Sequence, residues 1–475
     1  MMLGFGRATG SSTMPRGYVR SSVAVLGLAA ALSAVAVPAA AAPAGLALRS
    51  ELTADEAREV IRQRQGWDVC LPNLATLTPD VAAALAKPAG FYRLSLPAVE
   101  TLTPETARAL AYRSGDLDLP GVTALTPAAA AALAPHRGVL ELCGLSALDP
   151  EVAAALAGHA GHLCLSGLTD LSPAVAAALA GQGGQLSLPG LTAVSVEAAT
   201  AIARHRGPRL AFAGIVDLPH EVAAAFAPHR GGLALPRLSG LSAEAAAGLA
   251  RHAGPLTLGG LGTLSVEAAA ALAEHAGPLT LGGGSVLPPD VALALAAHEG
   301  TLSLPDLHLL SAEVASAFAL HRGVLCLPSL STVSAAAAEA LAVHQGGLVL
   351  SGLTTLGPAA AGALCGHPGD IDLFKLAQSS ALESVEVADL LTRKIRLLCM
   401  PNVLRLDAAD SVVIAGALAR AGGSVSLPNL QAASPATVSV LLAGGNVLIP
   451  PLETIELLPE PSVGEALAQG DVRGD

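Results

Sequence analysis

The chain has 475 residues, of which 52% are hydrophobic and 2% aromatic, and its formal net charge is −12. Residues 1–42 hold Arg7, Arg16 and Arg20 and no acid, so residues 43–475 carry 23 basic against 38 acidic groups, or −15. A balance that acidic, with no basic stripe, argues against nucleic acid as a partner.

Residues 1–42 read as a secretory signal peptide. Arg16 and Arg20 precede an apolar run from Val23 to Val37, and Ala40-Ala41-Ala42 offers a small-x-small cleavage site. Counting from Met14 gives a more usual signal length. The twin-arginine dipeptide is absent, and no cysteine after the apolar run marks a lipid anchor. The expected location is outside the cytoplasm: periplasm, cell envelope or extracellular space. Residues 43–66 read as a linker and an N-terminal capping helix. Thr53 with Glu56 forms a capping box, and Arg58, Glu59, Arg62 and Arg64 make a charged face suited to ending a stack in water.

Residues 67–373 repeat every 23 residues or so, and Leu233–Gly254 shows the unit: LALPRLSGLSAEAAAGLARHAG. Leu233-Ala-Leu235 predicts a short strand with its leucines inward. Pro236 ends that strand. Ser242 predicts a helix N-cap with Glu244 in the first turn, and sister units place proline there, as in Thr78-Pro79, Thr103-Pro104 and Asp149-Pro150. Val152 and Leu156, Val222 and Phe226, and Val314 and Phe318 sit four apart, on one helical face. Gly254 predicts a left-handed helix C-terminus. The second strand position recurs at Leu71, Leu96, Leu119, Leu142, Leu165, Leu188, Phe212, Leu235, Leu258, Leu281, Leu304, Leu327, Leu350 and Leu373. Looser markers are Met400, Leu427 and Ile449. Residues 374–457 read as longer, degenerate repeats, with charge at Arg393, Lys394, Arg396 and Arg405. Residues 458–475 read as an acidic, proline-containing tail without structure. The uncharged run from Gly323 to Ala338 is one strand and one helix of the stack, so no transmembrane span is expected past the signal.

A unit of this kind cannot bury its apolar face alone, and stacked neighbours can. The strand–turn–helix order with leucine at fixed offsets resembles the leucine-rich-repeat superfamily over residues 52–457, in an alanine- and leucine-rich bacterial subtype. The resemblance implies an α/β fold, a right-handed strand–helix solenoid with parallel strands on the concave side and helices on the convex side. It implies a surface for binding rather than catalysis. One departure stands out. The superfamily's turn asparagine or cysteine is replaced by Leu74, Leu145, Leu168, Leu191, Leu238 and Leu261, so the turn must satisfy its polar groups another way.

Candidate sites follow from the columns that stacking creates. Asp116, Asp118 and Glu141, and again Asp370 and Asp372, lie in strand segments on the concave face. Alternation puts Asp118 and Glu141 on the open side of neighbouring strands, where such a pair can bind a cation or do acid–base chemistry. The other open-face positions are Cys70, Ser95, Cys164, Ser187, Thr257, Thr280, Ser303, Cys326, Asp372 and Cys399; Trp67 is the only tryptophan. Histidine recurs at the helix end at positions 136, 159, 205, 229, 252, 275, 298, 321, 344 and 367. These rings are expected to cap helix carbonyls in the charged form, with raised pKa values, rather than to bind metal. Strand geometry keeps the cysteines apart, so all six are expected as free thiols. Gly282-Gly283-Gly284 is not a phosphate loop, no catalytic triad emerges, and no cofactor or metal motif is present.

These readings point to an exported, non-enzymatic solenoid acting as a protein-binding or scaffold surface, its partner a protein or envelope component. The rivals are a structural envelope component that self-associates, and an enzyme.

Overall fold

The computed structural model describes residues 46, 48–63, 68–86, 93–378, 384–395, 397–400, 402–403, 405–406 and 411–458. Residues 1–42, read above as a signal peptide, Trp67 and the tail from residue 459 lie outside the described residues. Fourteen short strands form one parallel sheet in strict chain order. They are β1 (Asp68–Cys70), β2 (Arg93–Ser95), β3 (Leu117–Asp118), β4 (Leu140–Glu141), β5 (Leu163–Cys164), β6 (Leu186–Ser187) and β7 (Arg209–Ala211), then β8 (Gly232–Leu235), β9 (Leu256–Leu258), β10 (Leu279–Leu281), β11 (Leu302–Ser303), β12 (Leu325–Cys326), β13 (Leu348–Val349) and β14 (Ile371–Asp372). One helix connects each strand to the next, and successive helices pack on each other in a second layer. Three more strands, β15 (Leu397–Cys399), β17 (Ser424–Ser426) and β19 (Val447–Leu448), continue the strand pattern as a short parallel sheet. A second short parallel sheet of β16 (Arg405–Leu406), β18 (Ala432–Ala433) and β20 (Glu456–Leu457) was not anticipated from the repeat.

Side-chain alternation has the expected sense. Leu233 and Leu235 are buried, and Thr257 is half-exposed on the strand side. The helical pairs Val152 with Leu156, Val222 with Phe226 and Val314 with Phe318 are all buried between the layers. Thr103, Thr126, Ser172, Ser195, Ser242, Ser265, Ser311 and Ser334 accept the backbone N–H three residues on, which satisfies one orphan donor of each helix. Asp149 makes no such bond. At the N-terminal end, the helix Ala54–Arg62 carries the full Thr53–Glu56 capping box.

The leucine-for-asparagine turns have a direct solution. Where the turn reads Leu-Pro-x-Leu, the second leucine donates its N–H to the first leucine's carbonyl: Leu74 to Leu71 at 3.3 Å, Leu191 to Leu188 at 3.4 Å, Leu238 to Leu235 at 3.3 Å. Leu168 does the same to Leu165 without a proline, and Leu261 donates instead to the Gly282 oxygen at 3.1 Å. Proline at the second position presets the φ this β-turn needs. The leucine side chain is then free to enter the core, where Leu74, Leu191 and Leu238 are fully buried.

Gly254 is a correction. It does not adopt a left-handed conformation; among the described residues only Gly260, Gly283 and Gly445 have positive φ. The helix ends earlier, at Ala250, with Arg251 as its C-cap. Glycine is required because the loops stack backbone on backbone: a Cβ on Gly254 would lie 2.1 Å from the carbonyl oxygen of Gly231.

Candidate functional site

Parallel pairing in register sets Asp118 of β3 directly beside Glu141 of β4. Arg93, which opens β2, spans both: its Nη2 is 3.0 Å from Asp118 Oδ2 and 2.9 Å from Glu141 Oε2. Ser95 Oγ donates to the same Asp118 oxygen at 2.8 Å. Asp118 is only 8% exposed, so its charge is matched on site rather than by solvent. Burial pushes the Glu141 carboxyl above its ordinary pKa, and Arg93 pulls back against it. The Cys143 thiol accepts from Ser166 Oγ at 2.9 Å. One ligand atom each from Asp118, Glu141 and Cys143 lie within 4.8 Å of one another, a donor set that could hold a metal ion. Arg93 already bridges the two carboxylates there.

The other three strand carboxylates do not join this site. Asp116 Oδ1 accepts the Val139 N–H at 3.0 Å and serves the loop, though its charge still raises the Glu141 pKa. Asp372 Oδ1 accepts the Phe374 N–H at 3.1 Å, and Asp370 is exposed; both sit at the far end of the long sheet. On the β5–β6 side of Glu141, His162 Nε2 lies 2.8 Å from Ser187 Oγ, and burial lowers the His162 pKa, with Arg209 on β7 adding to the effect. The open face is therefore polar and charged from β2 to β7. Beyond, its midpoints are Ala234, Thr257, Thr280, Ser303, Cys326 and Val349. Asp118, Ser303 and Cys326 are buried rather than open, because short side chains on strands about 4.8 Å apart shield one another. Arg93, Ser166 and His162 escaped the sequence reading; the usable signal was their place one residue before or after an L-x-L pair.

Cys70, Cys143, Cys164, Cys326 and Cys365 are free thiols, as expected, while the Cys399 side chain lies outside the described residues. Burial pushes Cys164 up to about 12 and Cys326 up to about 11, so neither is a thiolate at neutral pH. A shallow hollow of about 300 Å³ in the helix layer, lined by Arg108, Tyr112, Pro135 and alanines, holds no acid–base pair.

The histidine column overturns one expectation. The ten rings are at most 4% exposed and stack face to face, with centroids 5.6–6.3 Å apart and planes within 20° in all but one pair. They are not charged caps. Burial lowers every pKa in the column, to about 4 at His136, His205, His252 and His344. The helix-end field favours the charged ring, but desolvation wins. The column does address carbonyls, those of the preceding loop. His136 Nε2 is 2.9 Å from the Gly115 oxygen. The carbonyls of His136, Gly138 and Ala134 favour a charged His159 without reaching hydrogen-bond geometry at either ring nitrogen. Where histidine is replaced, the substitute is a donor. Gln182 Nε2 donates to the carbonyls of His159 and Gly161 at 3.1 and 2.9 Å, and Lys394 Nζ to those of His367 and Gly369. Gln182 also turns its Oε1 to His205 Nε2 at 2.8 Å, so that ring nitrogen carries the proton.

A second feature missed by the sequence reading is local and basic. Arg204, Arg206, Arg209, Arg230 and Arg251 fall on three consecutive repeats at the edge where helices end and strands begin. The run Arg204-His-Arg206 and the repeated His-Arg-Gly were the available signal.

No helix among the described residues is long and apolar enough to cross a membrane. No family model matches the chain, and no curated protein matches it by sequence. Solved structures do resemble it. A leucine-rich-repeat protein of Leptospira interrogans is 15% identical over 74% of this chain and 93% of its own, with a TM-score of 0.36. An internalin of Listeria monocytogenes is 15% identical over 68% and 89%, at 0.33. The Toll–Spätzle complex of Drosophila matches at 13% identity over 76% and 53%, also at 0.33. Scores that low carry no argument about function. In its own geometry, with one strand and one helix per repeat and every strand of the long sheet parallel and in order, the chain is a strand–helix solenoid.

Proposed function

We propose that this chain is an exported, non-enzymatic scaffold that binds a protein partner on its strand face, between β2 and β7. The observation that carries this reading is the concentration of charge in that stretch; elsewhere the strands of the long sheet carry only Asp68 at the start of β1 and Asp372 at the end of β14. Arg93, Asp118, Glu141, His162 and Arg209 crowd six strands, whereas β8 to β13 offer only small or apolar midpoints. A pair of carboxylates bridged by arginine, with a histidine–serine contact alongside, presents fixed donors and acceptors in a rigid frame, which suits recognition by complementary charge. The same groups lack what catalysis needs. The Asp118–Glu141 pair is occupied by Arg93, and the nearest thiols are held neutral by burial. Export rests on the segment 1–42. The test is affinity capture from an envelope fraction with the wild-type chain and with Glu141→Lys combined with Arg209→Glu. Saturable capture of one protein by the wild type, lost in the double variant, supports the reading. Equal capture by both removes the strand face from it.

A further inference from the structure

We propose that Arg204, Arg206, Arg209, Arg230 and Arg251 form a docking surface for a short acidic peptide segment of a partner protein. This goes beyond the strand-face reading, since four of the five lie along the loop edge of the stack and only Arg209 belongs to both. The three loops are in backbone contact. A Cβ on Gly231 would lie 2.5 Å from the Gly207 oxygen, and one on Gly254 would lie 2.1 Å from the Gly231 oxygen. The five guanidiniums therefore share one short stretch of edge. Arg204, Arg206, Arg230 and Arg251 are exposed, and Arg209 is half-buried. None of the five is in an ion pair among the described residues. Burial alone shifts Arg209, downward, with no carboxylate pulling it up.

Helix-end electrostatics explains part of the cluster. Arg251 is the C-cap of its helix and Arg204 follows another C-cap, both at the negative end. It does not explain Arg206 and Arg230, which lie past the helix ends, or Arg209 in the strand. Five unpaired cations together on a chain of net charge −12 are a matched surface for anions.

The neighbours limit the size of the ligand. The loop after Arg251 brings Glu274 and the next brings Glu299, both exposed, while the two loops before Arg204 carry only Gly158, Ala160, Gly181 and Gly183 at the matching places. A long polyanion would run into the glutamates. Three stacked loops span about 10 Å, the length of three or four extended residues. The surface is open, with no enclosed cradle for a single phosphate, and the surrounding loops offer no aromatic rings for stacked bases.

The test is fluorescence anisotropy with a labelled hexaglutamate peptide at about 100 mM salt, where charges more than about 10 Å apart are screened. The wild-type chain is expected to bind it saturably. Arg206→Glu with Arg230→Glu, both at exposed positions, should weaken binding at least about tenfold, and Arg204→Glu with Arg251→Glu should do the same. Arg322→Glu, at the same loop position four repeats beyond Arg230, should leave binding unchanged. The proposal is overturned if either pair binds like wild type, if Arg322→Glu loses as much, or if inorganic polyphosphate binds and hexaglutamate does not. A circular-dichroism melt of each variant confirms that the stack is intact.

Discussion

Acidification should unfold this solenoid through its buried imidazoles. The rings of His136, His205, His252 and His344 have folded pKa values of about 4, against roughly 6.5 for an unfolded histidine. A pKa depressed in the fold means that the unfolded chain binds more protons. The stabilisation is therefore fully present above about pH 6.5 and is lost as pH falls toward 4. At pH 5 each of these rings costs the fold about 2 kcal/mol relative to pH 8, or about 8 kcal/mol for the four. That rivals the net stability of an ordinary domain, about 5–15 kcal/mol. The six other rings of the column shift in the same direction. The assay is thermal unfolding by far-ultraviolet circular dichroism at pH 8, 6.5 and 5, with proton uptake on unfolding taken from the pH dependence. Uptake from the four rings should be about 3.5 protons at pH 5. His252→Gln with His344→Gln keeps side-chain donors in the column, as Gln182 does naturally, and should lower the uptake by about two. A melting temperature that rises between pH 7 and 5, or histidine resonances titrating above 6.5, would refute the argument from burial.

Three further outcomes follow. Gly254→Ala places a Cβ 2.1 Å from the Gly231 oxygen and should cost about 1–3 kcal/mol, read as a lower denaturant midpoint. Arg93→Ala leaves Asp118 and Glu141 side by side without their shared cation. It should destabilise the chain by about 1 kcal/mol at pH 8, the modest figure reflecting Arg93's partial exposure, and the deficit should shrink as pH falls and Glu141, whose pKa burial raises, takes up a proton. Thiol titration under denaturing, non-reducing conditions should find six thiols, the number in the sequence, and a count below four would contradict free cysteines. In the native state Cys164 and Cys326 should react slowest, since burial keeps both protonated.

What the sequence made legible was everything that recurs along the chain. The L-x-L strands, the Ser and Thr caps and the four-residue helical spacing all follow local rules, and all appear where those rules put them. What it concealed lies in the stacking direction, where residues 23 apart become neighbours. Gly254 looked like a helix terminator because helices commonly end on glycine; its actual constraint is the carbonyl one loop away. The histidines looked like charged caps when each helix was read alone, but stacking buries each ring and turns its pKa downward. Arg93 was invisible as a partner of Glu141 because they stand 48 residues and two strands apart. Asp118 and Glu141 were found because their columns were compared, and the same comparison two positions earlier would have exposed Arg93, His162 and Arg209.

The strand-face reading is tested most directly by photo-crosslinking in the native cell. A benzophenone side chain is placed at Ser187, inside the charged stretch, or at Thr280, among the small midpoints, both half-exposed strand positions. The account predicts one discrete crosslinked protein from position 187 and none from 280. Equal yields from the two positions, or a product only from 280, would contradict it.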